Sequence, residues 1–311
     1  MDVLNSQDTK VITGSLWCSW LAARAFLKGR IDEAVVVPEF RVADTKQVVP
    51  FLKWPGGKRW AASHVVPLIQ KNLTRRYFEP FLGGGAIFFS LLPEKAELSD
   101  INEDLINTYN AVRDHHVAVI HALRQLRVTK RNYYEIRSAA PHAPIERAAR
   151  FLYLNRTAFG GMYRLNLAGE FNVPYGGGER TPDVLLESDM LIAASKALKR
   201  ATTKQSDFES QVDSAGKGDV VYCDPTYTVA HDRNCFVRYN ERNFSWADQE
   251  RLACCARRAR SRGAMVIVTN AHHRSIRALY PQSHFNSLGR LSLVSTDPLK
   301  RRAVQEYLII V

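Results

Sequence analysis

The 311-residue sequence predicts an α/β fold: an open, mostly parallel sheet between helices, ending in an antiparallel hairpin and interrupted by a mostly helical insertion. Three observations carry that reading. Short β-branched and aromatic runs alternate with longer helical patterns over residues 51–110 and again over 219–270, as strand–helix–strand units do. Between these halves, residues 111–205 read as helical and polar. Residues 285–294 and 303–311 read as two neighbouring strands, with Asp297-Pro298 in the loop that joins them. The expected organisation is an accessory segment over 1–50, a main α/β domain over 51–110 and 206–311, and an inserted domain over 111–205.

Within the first segment, residues 12–27 are apolar, with Trp17, Trp20 and Phe26, and read as a short helix. The stretch is too short for a membrane span and contains Arg24. Asp2 and Asp8 stand where a signal peptide has its basic start. An accessory helix, or a start of translation further along, is the expectation. Next, Phe51-Leu52-Lys53-Trp54-Pro55-Gly56-Gly57-Lys58 gathers an aromatic ring, two lysines and a Pro-Gly-Gly turn. A lysine here can meet a ligand carboxylate and Trp54 can cover a purine. An exposed turn with solvated lysines is the plainer alternative.

Phe78-Glu79-Pro80-Phe81-Leu82-Gly83-Gly84-Gly85 follows a short strand and precedes an apolar helical run. Glycines at a strand-to-helix turn let a ligand approach the backbone, and the helix start offers free N–H groups. Glu79 repels phosphate, which argues against a dinucleotide and for a ligand bearing positive charge, such as the sulfonium and ammonium of S-adenosylmethionine. The spacing is neither G-x-G-x-x-G nor a P-loop. Further on, a strand ends at Asp100 and a helix begins near Asn102. A carboxylate at the end of a second strand suits ribose hydroxyls. An N-cap aspartate is the alternative, with Asn102 the better cap.

The run Asp219-Val220-Val221-Tyr222-Cys223 leads straight into Asp224-Pro225-Thr226-Tyr227. This places a carboxylate, a fixed turn and an aromatic at the carboxyl end of a buried strand, where open α/β sheets bind ligands. The Asp224 carboxylate and the Pro225 carbonyl can accept hydrogen bonds from an exocyclic amino group, and Tyr227 can stack on the base that carries it. By itself the tetrapeptide also fits an ordinary strand-ending turn.

Composition points the same way. Lys and Arg number 43 against 31 Asp and Glu, a formal net charge of +12 and a pI of about 9.6, which suits a phosphate backbone as partner. Basic clusters fall at 71–76, 196–204, 251–262 and 300–302. Five cysteines form no paired framework, and the adjacent Cys254-Cys255 suggests a reducing compartment. The histidine pairs 115–116 and 272–273 lack metal-ligand spacing, so no metal is expected.

In this order, these stretches resemble the D12-class DNA adenine-N6 methyltransferases, over roughly residues 49–311. A further stretch is the most specific: Leu154-Asn155-Arg156, then Gly161-Met162-Tyr163-Arg164-Leu165-Asn166, then Gly169-Glu170-Phe171-Asn172-Val173-Pro174-Tyr175-Gly176 is similar to the family's L-N-R, R-x-N and G-x-F-N-V-P-x-G signature. The resemblance implies a Rossmann-like methyltransferase sheet with an inserted target-recognition domain. It implies S-adenosylmethionine as cofactor, held by Trp54, Gly56, Lys58, Glu79, Phe81, Gly83, Gly85, Asp100, Asp207, Phe208 and Asp224. It implies catalysis by Asp224, Pro225 and Tyr227, and contacts to double-stranded DNA from Asn155, Arg156, Met162, Arg164, Asn166, Pro174 and Tyr175. Arg164 stands where the family uses an arginine on a guanine edge, so a GATC-like site is expected. No membrane and no obligate protein partner are implied, and a cytoplasmic, nucleoid-associated location is expected. The sequence departs from the family's D-P-P-Y at Thr226, which keeps open a catalytically impaired DNA-binding homologue. An N-methyltransferase acting on RNA or protein is a second alternative.

Overall fold

The computed structural model describes residues 48–166, 169–177, 188–229, 244–291 and 303–311. The expected helix over 12–27 and the hairpin turn at Asp297-Pro298 lie outside them. All the described residues belong to one compact unit, Gln47–Val311.

The strands are β1 (Tyr77–Glu79), β2 (Ala96–Asp100), β3 (Ala201–Gln205), β4 (Val220–Cys223), β5 (Met265–Ala271), β6 (His284–Leu291) and β7 (Ala303–Ile310). They form one sheet in the order β3-β2-β1-β4-β5-β7-β6. The pairings from β3 across to β5 are all parallel, and β7 runs antiparallel between β5 and β6. Strand order steps one way from β1 and the other way from β4. The crevice beyond the carboxyl ends of β1 and β4 is therefore the topological switch point, where such sheets take ligands.

Burial explains why these strands read as apolar runs rather than as alternation. All four residues of β4 and all three of β1 are buried, because both faces of the sheet are covered. Helix α8 (Trp246–Ser261) contributes Leu252, Ala253, Cys255, Ala256 and Ala259 to one core with Val221, Cys223, Val266, Val268 and Ile309. Ser245 and Asp248 close that helix's first turn with a reciprocal capping box. At the entry to β4, the buried Asp219 carboxylate accepts from the Arg76 guanidinium at 2.9 Å, the Arg76 N–H at 3.1 Å and the Gly216 N–H at 3.0 Å. Burial pushes its pKa up, and these donors outweigh the push and hold it below the ordinary carboxylate value. The clasp fixes the starts of β1 and β4 side by side.

The remaining helices are α1 (Ala62–Asn72), α2 (Ala86–Leu91), α3 (Glu103–Arg124), α4 (Lys130–Ser138), α5 (Pro144–Thr157), α6 (Ser188–Leu198), α7 (Phe208–Asp213) and α9 (Arg274–Leu279). α3 packs against both α5 and α6 and bends at His115, whose φ of −137° breaks the helical run. One boundary needs correction. Residues 201–205, assigned by sequence to the insertion, form β3, paired along its length with β2. Ala201 and Thr203 point inward and Thr202 and Lys204 outward, an edge-strand pattern that polar composition conceals. The strand expected at 285–294 is seen over 284–291, with later residues outside the described set.

Candidate active site

The glycine turn after β1 is shaped by close approach. Gly85 has φ +65°, and a Cβ there would lie 2.8 Å from the Tyr109 hydroxyl, which donates to the Gly83 carbonyl at 3.0 Å. Gly83 has φ +46°, and a Cβ would lie 2.7 Å from the Trp54 ring. Trp54 is therefore held against the glycine backbone. It stacks on Tyr163, with ring centroids 5.6 Å apart, and on Phe151 at 6.4 Å.

Asp100 sits at the end of β2, as its position in the sequence predicts. One carboxylate oxygen accepts the Gly83 N–H and the other the Asn102 N–H, both at 3.0 Å. Burial raises its pKa against the pull of these N–H groups. Asn102 is the N-cap of α3, accepting from the Leu105 N–H at 3.0 Å. Ile101, beside Asp100, is 68 % exposed, an apolar side chain open at the mouth of the crevice. Glu79 is buried, and its carboxyl accepts from the Tyr77 hydroxyl at 2.8 Å and the Phe88 N–H at 3.1 Å. Burial pushes its pKa up to about 8, over the opposing pull of both donors. Phe81 stacks on Phe208 at 5.3 Å, and Phe244 meets Phe81 edge-on at 5.5 Å. Asp207 caps α7 and pairs with Arg251 at 2.6 Å, whose guanidinium lies 4.4 Å from the centre of the Phe208 ring. The basic cluster at 251–262 is thus partly consumed by acids of α7: Arg251 by Asp207 and Glu209, Arg258 by Glu209 and Asp213.

Asp224 leaves β4 into the same crevice. Lys58 lies 2.9 Å from its Oδ1, and Thr269 of β5 donates to that oxygen at 2.7 Å. Burial raises the Asp224 pKa, with Lys58 and Thr269 opposing. Tyr227 turns its hydroxyl to Glu306 of β7 at 2.6 Å, and Lys58 stands 4.8 Å from the centre of the Tyr227 ring. Gly56, with φ +76°, points its carbonyl at the Lys58 ammonium, 3.0 Å away. Pro225 is buried and Thr226 exposed; the Thr226 carbonyl accepts from Gln249 at 3.3 Å, and Gln249 accepts from Asn270. The loop is thus braced through a carbonyl that proline would also present. Sequence reasoning missed Glu306 and Thr269. A glutamate inside the apolar C-terminal strand was the available signal.

The residues proposed from sequence for DNA divide into two groups. Asn155 is 2 % exposed, accepting the Lys53 N–H at 2.9 Å and donating to the Lys53 carbonyl at 2.6 Å. It holds the Lys53 backbone, a correction to its expected contact with DNA, because both ends of its amide are engaged inside the fold. Arg156 donates to the Phe51 carbonyl at 3.0 Å and serves the same strap. Met162, Arg164, Asn166 and Pro174 are exposed, and Tyr175 is half-buried against Tyr133. Two bridges, Ala158↔Tyr175 and Leu165↔Phe171, hold them in a narrow hairpin beyond α5. Asn172 accepts from the Arg164 Nε at 2.8 Å and so orients its guanidinium. Among the described residues no cluster of His, Cys, Asp or Glu is placed to hold a metal, and no helix is long and apolar enough to cross a membrane.

A glycine turn after the first strand, a carboxylate after the second and an Asp-Pro turn after the fourth, meeting at one switch point, define the frame of an α/β methyltransferase. The chain belongs to the D12 class N6 adenine-specific DNA methyltransferases, whose family model matches residues 54–292. It is 35 % identical over 249 residues to the type II methyltransferase M1.LlaDCHI of Lactococcus lactis subsp. cremoris, covering 77 % of this chain and 87 % of that protein. It is likewise 35 % identical over 249 residues to the type II methyltransferase M.MjaIII of Methanocaldococcus jannaschii, covering 73 % and 86 %. To the DNA adenine methylase of Vibrio cholerae it is 33 % identical over 267 residues, covering 83 % and 94 %. The chain is an adenine-specific DNA methyltransferase.

Proposed function

We propose that this enzyme takes the methyl group from S-adenosylmethionine and places it on N6 of an adenine lifted out of duplex DNA, within a GATC-like site. The observation that carries the reading is Asp224, anchored by Thr269 and Lys58 beyond the carboxyl end of β4 at the switch point. The residues present fit the donor. Asp100 is fixed by two N–H groups for ribose hydroxyls, and Glu79 is a buried carboxyl suited to a cation, beside a glycine turn that Trp54 and Tyr109 hold in place. Half-buried Phe81, backed by Phe208, and exposed Ile101 offer apolar surface for the donor's adenine.

When bound, the donor supplies a methyl group on a positively charged sulfur that leaves as a neutral thioether. The N6 lone pair of adenine is delocalised into its ring, so the amino group is a poor nucleophile. Asp224 and the Pro225 carbonyl each accept a hydrogen bond from one N6–H, which draws the nitrogen towards sp3 and frees the lone pair. The donor, held in line, would supply its methyl carbon to that lone pair, with the C–S electron pair left on sulfur. The excess N6 proton passes to Asp224, whose raised pKa suits it to receive one. Tyr227 supplies a face for the base, and its anchored hydroxyl fixes the angle of that face. Holding both partners in line supplies much of the rate. The exposed hairpin with Met162, Arg164, Asn166, Pro174 and Tyr175 meets the duplex, in keeping with the role proposed for the insertion in target recognition. A DNA-acting enzyme of this kind works in the cytoplasm.

The test is tritiated methyl transfer from S-adenosylmethionine to unmethylated duplex DNA, beside Asp224→Ala, with nucleosides identified after digestion and protection of GATC sites scored by a methylation-sensitive nuclease. N6-methyladenine absent from the control supports the reading. Binding of both substrates without transfer supports the impaired homologue left open by Thr226.

A further inference from the structure

Glu306 lies on β7, 2 % exposed, in a strand of otherwise mostly apolar residues that pairs Glu306 with Ala271 of β5. An ionised carboxylate is costly to bury without partners. Its Oε2 accepts the Tyr227 hydroxyl at 2.6 Å and lies 3.6 Å from the Lys58 ammonium, which is itself 2.9 Å from Asp224. One ammonium thus faces two carboxylates. This matters because a carboxylate fully paired to a lysine is a weaker acceptor for an amino group.

We propose that Glu306 is a positioning residue for methyl transfer: it shares the Lys58 ammonium, so that the Asp224 carboxylate stays a strong acceptor for the adenine amino group. The inference rests on the role proposed for Asp224. Every hydrogen bond and ion pair described for Asp224 falls on Oδ1, from Lys58, Thr269 and, at 3.5 Å, Tyr227. Oδ2 is the oxygen left to face the base. With Glu306 neutral, Asp224 is the one carboxylate of the three-membered group left to Lys58, which also donates to the Gly56 carbonyl; the group loses its net negative charge, and Oδ2 weakens with its partner oxygen. The same Glu306 oxygen fixes Tyr227, so the stacking ring and the accepting carboxylate are set by one charge on the last strand.

The test is a double-mutant cycle on the full-length protein with Glu306→Gln and Lys58→Met, reading single-turnover methyl transfer together with KM for DNA and for S-adenosylmethionine. Glu306→Gln is expected to lower kcat by about tenfold or more with both KM values within about twofold, and to lose most of that effect in the Lys58→Met background. An effect that persists undiminished without Lys58, or that Tyr227→Phe reproduces in full, overturns the proposal and leaves Glu306 as an anchor for the ring. If Lys58→Met has no measurable activity, the pH profile of Glu306→Gln decides. Asp224 is faced by Lys58, by Glu79 from β1, by Tyr222 from β4, by Tyr227 and by Glu306 from β7, and the Glu306 charge raises its pKa. Loss of that charge is expected to move the acid limb of kcat to lower pH, whereas a pure anchor leaves the limb in place and overturns the proposal. Asp224→Asn, run in parallel, separates the two layers. Wild-type transfer by that variant sinks the assigned role of Asp224, whereas an inactive Asp224→Asn beside an unimpaired Glu306→Gln sinks only the present inference.

Discussion

Replacing Glu79 with glutamine tests whether the carboxyl at the end of β1 is neutral before any ligand arrives. Burial lifts its pKa from the ordinary 4.5 to about 8, against the Tyr77 hydroxyl and the Phe88 N–H. Between those values the folded protein holds a proton that the unfolded chain has released, so stability falls as pH rises, by about 1.4 kcal/mol per pH unit. This contribution is fully present below pH 4.5 and is lost as pH rises through about 8. Integrated from pH 6 to pH 8, with the folded group half-ionised at the upper limit, the loss is about 2 kcal/mol. Glutamine keeps the size of the side chain and an acceptor for the Phe88 N–H, and it has no proton to lose. Urea unfolding of both proteins at pH 6, 7 and 8 measures the difference directly, since titrating groups that do not interact with Glu79 cancel. Wild type should lose about 2 kcal/mol more than Glu79→Gln across that range. Parallel stability curves would refute the reasoning, because Glu79 would then be ionised throughout and the site would carry a standing charge.

Three further expectations follow from the geometry. At pH 7 Glu79 is about nine-tenths protonated, so S-adenosylmethionine should release close to one proton on binding and S-adenosylhomocysteine almost none. Titration calorimetry in two buffers of different ionisation enthalpy reads this, and equal buffer dependence for the two ligands counts against it. Thr226→Pro should leave kcat within about threefold of wild type, because Gln249 holds the Thr226 carbonyl and the side chain is exposed; a tenfold gain would mean that the natural loop is slack. Arg164→Ala should relax discrimination at one base pair of the target by about 1–3 kcal/mol while leaving methylation of that site detectable, scored on a panel of single-substitution duplexes; uniform loss across all duplexes would assign Arg164 to a phosphate instead.

What the sequence made legible is what local chemistry dictates. Gly83 and Gly85 mark a turn because positive φ and close approach demand glycine there. Asn102 caps α3 because it precedes the first helical turn, and Asp224-Pro225 ends β4 because a buried strand must stop in a turn. The parts that escaped are set by partners far along the chain. Glu306 reaches Tyr227 and Lys58 only through the antiparallel return of β7 beside β5, and no local pattern encodes that register. Asn155 and Arg156 are polar residues near the end of α5, and polarity alone suggests a surface. Their hydrogen bonds to the 51–53 strap depend on how that strap crosses the helix. β3 was hidden for a related reason, since an edge strand with one covered face carries Thr and Lys where a central strand carries Val.

The distribution of charge separates the two binding problems this enzyme must solve. The chain as a whole carries +12, which favours a polyanion. The crevice is the reverse: Glu79, Asp100 and Asp224 gather at the carboxyl ends of β1, β2 and β4, Glu306 of the antiparallel β7 lies beside the end of β5, and Lys58 stands beside the last two carboxylates. Several like charges in a buried site cannot all be ionised at once without large cost, and Asp224 and Glu79 bear this out, since each is held up first by burial and Asp224 adds to the rise at Glu79. A protonated Glu79 relieves that repulsion while the site is empty. On the proposed placement, arrival of a cationic donor replaces the proton, and the carboxylate then gains an attractive partner in a medium of low dielectric constant. Transfer of the methyl group removes the positive charge from sulfur and leaves only the ammonium, so a Glu79 that faces the sulfonium takes a proton again. The attraction that favours the substrate is therefore withdrawn by the reaction itself, so the same buried carboxyl that draws in the donor weakens the hold on its product.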